Sequence, residues 1–228
     1  MNPPIRILLV DDHAIVRAGY RALLAKQPGL QVVAEAADGI QAYQQFKESA
    51  PDVVVTDLSL PGISGLEVIA RIRQRDAKAK ILVFSMHQQP SFALQATRAG
   101  ALGYITKSSP PEVLLRAIHD VYAGRQSLSA DIAQALALAQ LGTERMALDT
   151  LTVREFEILR LLVEAKSAGE IAQTLNISTK TVSNSHYLIK RKLGVNSDIE
   201  LTRLAIRLNV VSLLESPAMD GQGSGTAV

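Results

Sequence analysis

The chain has 228 residues, 47% of them hydrophobic, with a formal net charge of +2 and no cysteine. That length suits one large domain or two small ones, and the lack of cysteine removes disulfides, cysteine zinc sites and thiol catalysis together. A near-neutral charge leaves any nucleic-acid role to a local face; with no apolar run near the roughly 20 residues that span a bilayer and no secretory pattern over residues 1–4, a cytoplasmic protein without a membrane partner is expected. In chain order, residues 5–10 form an unbroken apolar strand after Arg6, and a helix over about 13–26 follows, ending near Pro28-Gly29. A strand at 31–36, a helix at 39–49, a strand at 53–56, a helix at 65–75 and a strand at 80–84 come next. A helix at 89–99 stops at Gly100, a strand covers 103–106, and Pro110-Pro111 opens a helix to about Ala123 that stops at Gly124. Proline suits a first helical turn and glycine an end.

Five strands alternating with five helices predict a parallel sheet covered by helices on both faces, over residues 4–124. Residues 125–148 are rich in alanine, leucine and glutamine and read as a linker holding a short helix. Residues 149–214 carry only helix signals. Three pairs have capping-box spacing, Thr152 with Glu155, Ser167 with Glu170 and Ser197 with Glu200, and Ser178 can cap without a glutamate. The helices expected are 153–164, 168–175, 179–193 and 198–207. Residues 215–228 form a Gly/Ser/Ala-rich tail expected to be disordered.

The chemistry of the first half sits at strand ends. In open α/β sheets, sites form beyond the carboxyl ends of the strands where strand order reverses. Asp11 and Asp12 follow the first strand, Asp57 the third, Ser85 the fourth and Lys107 the fifth. With strand order 2-1-3-4-5, all five share one edge. Any one of them alone is an ordinary turn, cap or surface residue; the set is what carries meaning. Three close carboxylates repel unless a cation intervenes. Mg²⁺ with oxygen ligands serves where a phosphoryl group is handled, and Lys107 and Ser85 add a fixed charge and a hydroxyl. A carboxylate is also an accepted nucleophile for making an acyl phosphate.

Val10-Asp11-Asp12-His13, the run from Val55-Thr56-Asp57 to Gly65, and Gly100-Ala101-Leu102-Gly103-Tyr104-Ile105-Thr106-Lys107 resemble the receiver domain of bacterial response regulators. The resemblance implies a flavodoxin-like five-stranded (βα)5 fold. It implies that Asp57 accepts a phosphoryl group from a sensor histidine kinase. It also implies that Asp12, Asp57 and the carbonyl of Ser59 ligate Mg²⁺ with Asp11 acting through water, and that Ser85 and Lys107 meet the phosphoryl oxygens. Tyr104 matches the aromatic that turns inward when Ser85 moves, although half-buried strand aromatics are common without that role. Two positions depart from the pattern. Ser108 stands where many receivers have proline, so a cis peptide after Lys107 is not expected. Met86 stands where alanine is frequent, and is expected to crowd water attacking the phosphoryl group.

In the second half, 170–175 and 179–193 read as two helices around a tight turn. Val182, Ile189 and Leu193 lie within about 40° on the wheel of the second helix. Lys180, Asn184, Tyr187 and Arg191 form the opposite stripe, and Ser183 adds a hydroxyl. Such a stripe suits a major groove: Asn184 can pair with adenine, while Lys180, Lys190, Arg191 and Lys192 suit phosphates. A basic helix face is also common as a merely solvated surface. Leu151-Thr152-Val153-Arg154-Glu155, Glu170-Ile171-Ala172, Ile177-Ser178, Thr181-Val182 and Arg191-Lys192-Leu193-Gly194-Val195 resemble the LuxR-type helix-turn-helix. Joined to a receiver, this resembles the NarL/FixJ group of transcription regulators. An all-α four-helix domain binding double-stranded promoter DNA is implied, as is a homodimer through the last helix, where Ile199, Leu201, Leu204 and Ala205 are available. Ser183 stands where a basic residue is frequent, Ser185 where histidine is, and His186 is shifted by one.

An enzyme is the main rival. Phosphatases with an aspartate nucleophile need a second aspartate two residues on as acid, and here Ser59 stands there. No Gly-x-Ser-x-Gly elbow is present. The chain is therefore expected to be a phosphoacceptor with at most self-dephosphorylation, not an enzyme. A helical domain that binds protein or RNA remains a further alternative.

Overall fold

The computed structural model describes residues 3–140, 148–208 and 210; the expected tail, 215–228, lies outside them. The first strand, β1 (Ile5–Val10), alternates its side chains between two cores. Leu8 and Val10 enter one, Ile7 and Leu9 the other, as the two-residue strand period requires. After it come α1 (Ala14–Ala25), β2 (Leu30–Ala36), α2 (Gly39–Ser49), β3 (Val53–Thr56), α3 (Gly65–Arg75), β4 (Ile81–Ser85), α4 (Pro90–Ala99), β5 (Gly103–Thr106) and α5 (Pro111–Tyr122). Helices α2, α3 and α4 cover one face, closing on Ile69, Val83 and Ala96. On the other face, α1 and α5 bring Leu24, Leu114 and Ile118 against Phe84 and Ile105. Each fully buried aliphatic side chain contributes about 1.5–3 kcal/mol.

The strand order is β2-β1-β3-β4-β5-β6, all parallel. The first five follow the expected order; the sixth departs from the expected five-stranded sheet. Strand β6 (Ser127–Leu128) pairs with Gly103 and Tyr104 on the outer edge of β5. Two residues are too few to show a period, so this part of the linker carries no strand signal. Gly103 permits the pairing, because a Cβ there would stand 2.9 Å from the carbonyl oxygen of Ser127 and 2.7 Å from Leu82. Next, α6 (Ala130–Gln140) packs its buried Ile132 beside α4 and β5.

A 3-10 turn at Leu148–Thr150 leads into α7 (Val153–Val163), α8 (Ala168–Thr174), α9 (Thr179–Leu193) and α10 (Asp198–Arg207). Thr152 with Glu155 and Ser167 with Glu170 form complete capping boxes. Ser197 accepts from the N–H of Glu200, but the Glu200 carboxylate accepts from the N–H of Asn196 instead of closing a third box. Ser178 caps α9 through the N–H of Thr181. Phe156, Ile158, Ile171, Val182, Ile189 and Leu201 close this helical core.

Candidate functional site

The carboxyl ends of β1, β3, β4 and β5 meet along one edge. Asp57 leaves β3 with its N–H bonded to the carbonyl of Val10 at 2.9 Å, which brings it beside Asp11. Gly65 at the start of α3 lets that helix close in: a Cβ would come 2.0 Å from the Asp57 carbonyl oxygen. Lys107 reaches inward from the end of β5, and its Nζ lies 2.6 Å from both Asp11 Oδ2 and Asp57 Oδ2. The three side chains are only 4%, 3% and 7% exposed for Asp11, Asp57 and Lys107. The other Asp57 oxygen, Oδ1, accepts from the N–H groups of Leu58 at 2.6 Å and Ser59 at 3.3 Å. Burial pulls the Lys107 ammonium toward a lower pKa, but its bonds to Asp11 and Asp57 outweigh this and hold it above the ordinary lysine value.

Asp12 takes a different partner. Its carboxylate pairs with His13 Nδ1 at 2.8 Å, and one ligand atom each of Asp11, Asp12 and His13 lie within 4.8 Å of one another. The structure thus gathers Asp11 and Asp57 on Lys107 and sets Asp12 beside them against His13, which the sequence reading had not singled out. Two buried carboxylates share one ammonium, and Asp12 adds another negative charge. A net-negative, carboxylate-rich edge of this kind fits a hard divalent cation, which prefers oxygen ligands.

Ser85 is fully buried at the end of β4. Its carbonyl accepts from the N–H of Lys107 at 2.8 Å, and its hydroxyl accepts from the N–H of His87 at 3.5 Å. Tyr104 is 1% exposed, not half-buried. Its hydroxyl donates to the carbonyl of His87 at 2.9 Å. Burial, reinforced by the charge of Asp57, raises the phenol's pKa. Met86, directly after Ser85, is 68% exposed.

His87 is a residue the sequence reading missed. Its Nε2 lies 3.0 Å from the Ser59 hydroxyl, and its ring stacks on Phe92 at 4.1 Å. Phe92 meets Phe156 of α7 edge-on at 5.3 Å. Burial pushes the imidazole pKa down to about 4, and Arg160 of α7 acts in the same direction. Glu157 of α7 is buried too; its Oε2 lies 3.6 Å from Arg154 and makes no hydrogen bond among the described residues. Helix α7 therefore rests against the loops that follow β3 and β4. Only the position of His87, two residues beyond Ser85, hinted at this.

On α9, Val182 and Ile189 are buried, while Lys180, Ser183, Asn184, Tyr187, Arg191 and Lys192 are exposed. The guanidinium of Arg191 lies 5.9 Å from the Tyr187 ring centre. Two of the expected phosphate partners have internal companions: Lys190 lies 3.0 Å from Asp198 and Lys192 lies 2.6 Å from Glu155. The Ser183 hydroxyl donates to the carbonyl of Thr179. On α10, Leu201, Leu204 and Ala205 are buried in the domain core, leaving Ile199 66% exposed. Among the described residues no helix is long and apolar enough to cross a membrane.

Residues 7–119 match the family model described as response regulator receiver domain, and residues 149–205 that of bacterial regulatory proteins of the luxR family. The chain is 39% identical over 205 residues to the response regulator UvrY of Escherichia coli K12, covering 89% of this chain and 94% of the relative. A LuxR-family two-component response regulator from Aurantimonas is similar in structure, with TM-score 0.60 and 53% identity over 61% of this chain and 99% of that one. RcsB of Salmonella enterica serovar Typhimurium, bound to promoter rprA in the presence of the phosphomimetic BeF3-, matches with TM-score 0.67 and 27% identity over 88% of this chain and 98% of that one. RcsB is also described as dimers bound to DNA.

Proposed function

Because the chain belongs to the response regulators that join a receiver to a LuxR-type DNA-binding domain, we propose that Asp57 accepts a phosphoryl group from a sensor histidine kinase and that α9 reads promoter DNA. The observation that carries this reading is the buried Asp57 carboxylate held by Lys107 at 2.6 Å at the sheet edge. One Asp57 oxygen attacks phosphorus, the phosphorus–nitrogen bond of the kinase phosphohistidine breaks, and an acyl phosphate forms. The Lys107 ammonium follows the charge from carboxylate to phosphoryl oxygen, and the Ser85 hydroxyl turns to donate to another. Asp11, Asp12, Asp57 and the Ser59 carbonyl would hold Mg²⁺, which supplies charge neutralisation at the transferring oxygens. Water returning along the same line would release phosphate, so self-dephosphorylation is the most enzyme-like step assigned to the chain.

Residues 125–148 connect this event to the DNA-binding unit. On DNA the chain acts as a homodimer, as RcsB does, with the exposed Ile199 available to a second copy. The cytoplasm, where kinase and promoter meet, is its place of action. Lys180, Ser183, Asn184, Tyr187 and Arg191 face the groove, with Lys190 and Lys192 at its border.

Incubation with acetyl phosphate and Mg²⁺, resolved on phosphate-affinity gels, tests the first half. The wild type should shift and Asp57→Ala should not; a shift that persists in Asp57→Ala places the acceptor elsewhere. Gel shifts on genomic promoter fragments test the second half. Loss of binding in a Lys180→Ala/Asn184→Ala double variant supports the groove reading, and undiminished binding removes it.

A further inference from the structure

The sixth strand, the residue after it and the first turn of the next helix hold two residues of β5, Tyr104 and Thr106, just ahead of Lys107. Ser129 donates its N–H to the carbonyl of Tyr104 at 3.0 Å, and its hydroxyl accepts from the N–H of Thr106 at 3.4 Å. Thr106 is fully buried, and its hydroxyl donates to Asp131 Oδ2 at 2.8 Å. The Ser108 hydroxyl donates to Thr106 Oγ1 at 3.1 Å, and the Ser109 hydroxyl is 3.0 Å away. So three hydroxyls gather around Thr106, one of them from the serine that replaces the frequent proline. Asp131 lies in the first turn of α6, where the helix dipole favours a negative charge. Burial pulls its carboxyl upward, but bonds from Ser129, Thr106 and the N–H of Ile132 outweigh this and leave its pKa below the ordinary aspartate value.

Lys107 is the next residue after Thr106, and its main chain and side chain both point into the site: the N–H to Ser85, the ammonium to Asp11 and Asp57. We propose that Asp131 is a positioning residue for phosphoryl transfer, fixing through Thr106 the strand end that carries Lys107, so that the linker is part of the Asp57 site. The inference rests on Asp57 being the phosphoacceptor. It assigns the linker a role at the chemistry itself, in addition to joining two domains. The coupling also runs outward, since any shift of Lys107 and Tyr104 on phosphorylation moves the residues that α6 grips.

The test uses the full chain with acetyl phosphate and Mg²⁺. Asp131→Ala should lower the rate constant at saturating acetyl phosphate about fivefold, less than a whole charge-assisted hydrogen bond because Asp131 acts on the reaction only through Thr106. Asp131→Asn, whose amide oxygen still accepts from Thr106, should recover most of that rate. Thr106→Val, which keeps the shape and removes the donor, should be slowed like Asp131→Ala and serves if the latter fails to fold. A purely structural role would lower the melting temperature and leave the rate constant alone, and that result overturns the proposal. If the wild type labels at Asp57 while Asp131→Ala and Thr106→Val label as fast, only this inference falls. If the wild type does not label, the phosphoacceptor reading falls first.

Discussion

The hydroxyl of Tyr104 donates to the main-chain carbonyl of His87 at 2.9 Å, tying β5 to the loop that leaves Ser85. Two routes lead from that bond. One runs along β5 to β6 through the N–H of Ser129. The other runs through the His87 ring to Phe92 and on to Phe156 of α7. Ser85 is therefore connected to both the linker and the DNA-binding unit within a few contacts.

Tyr104→Phe deletes the donor and leaves the His87 carbonyl short of a partner in a buried setting. An unmade buried hydrogen bond costs about 1–3 kcal/mol. Calorimetry should show a melting temperature lower by about 4 °C for each kcal/mol lost, given about 2.1 cal/mol/K of unfolding entropy per residue over a receiver of roughly 120 residues. A melting temperature equal to that of the wild type would show that the bond contributes nothing to the fold.

Met86 is 68% exposed directly after the buried Ser85. A flexible thioether there can lie across the approach of water to the acyl phosphate. Met86→Ala should shorten the acyl-phosphate half-life by about threefold, a barrier change well under 1.36 kcal/mol. The decay of purified phosphoprotein after removal of acetyl phosphate gives the number, and an unaltered half-life removes the shielding role.

The sheet and its edge were legible because their signals are local. Unbroken apolar runs mark β1 and β3, and each ends on the aspartate that the structure brings to Lys107. The helices of the second domain were legible from their caps, and α9 and α10 have the expected bounds. Long-range contacts were not. Strand β6 is two residues long, and its pairing depends on Gly103, far away in sequence. The turn of Asp12 toward His13 is a choice of rotamer and partner, which spacing does not encode. Nor does the wheel of α7 show that Glu157 is buried, since that follows only from the approach of Ser64 and Arg154.

Glu157 gives a pH test with a definite sign. Burial raises its pKa, and nearby Ser64 and the charges of Arg154 and Arg160 only partly offset this, with Glu67 adding to the rise. A carboxyl whose folded pKa lies above its unfolded value stabilises the fold below the unfolded pKa. That contribution is lost as pH rises through the folded pKa. Glu157→Gln keeps the shape without the charge, so it should melt higher than the wild type at pH 8 and show no such gain at pH 4. Equal melting temperatures at pH 8 would mean that the carboxylate is already solvated or paired in solution.

The two kinds of cation on α9 separate by salt dependence. Lys180 and Arg191 stand exposed on the stripe, whereas Lys192 lies 2.6 Å from Glu155 and Lys190 lies 3.0 Å from Asp198. Each phosphate neutralised adds about 0.9 to the slope of log affinity against log salt. Lys180→Ala and Arg191→Ala should each flatten that slope by about 0.9. Lys190→Ala and Lys192→Ala should flatten it less, because their ammonium groups already face carboxylates. Lys192→Ala should lower the melting temperature as well, since Glu155, whose pKa is depressed against its burial by bonds from Lys192 and Thr152, loses its strongest partner. Fluorescence anisotropy on one promoter fragment across a salt series separates the cases. A slope loss for Lys192→Ala as large as that for Lys180→Ala would mean that DNA phosphate displaces Glu155 from Lys192.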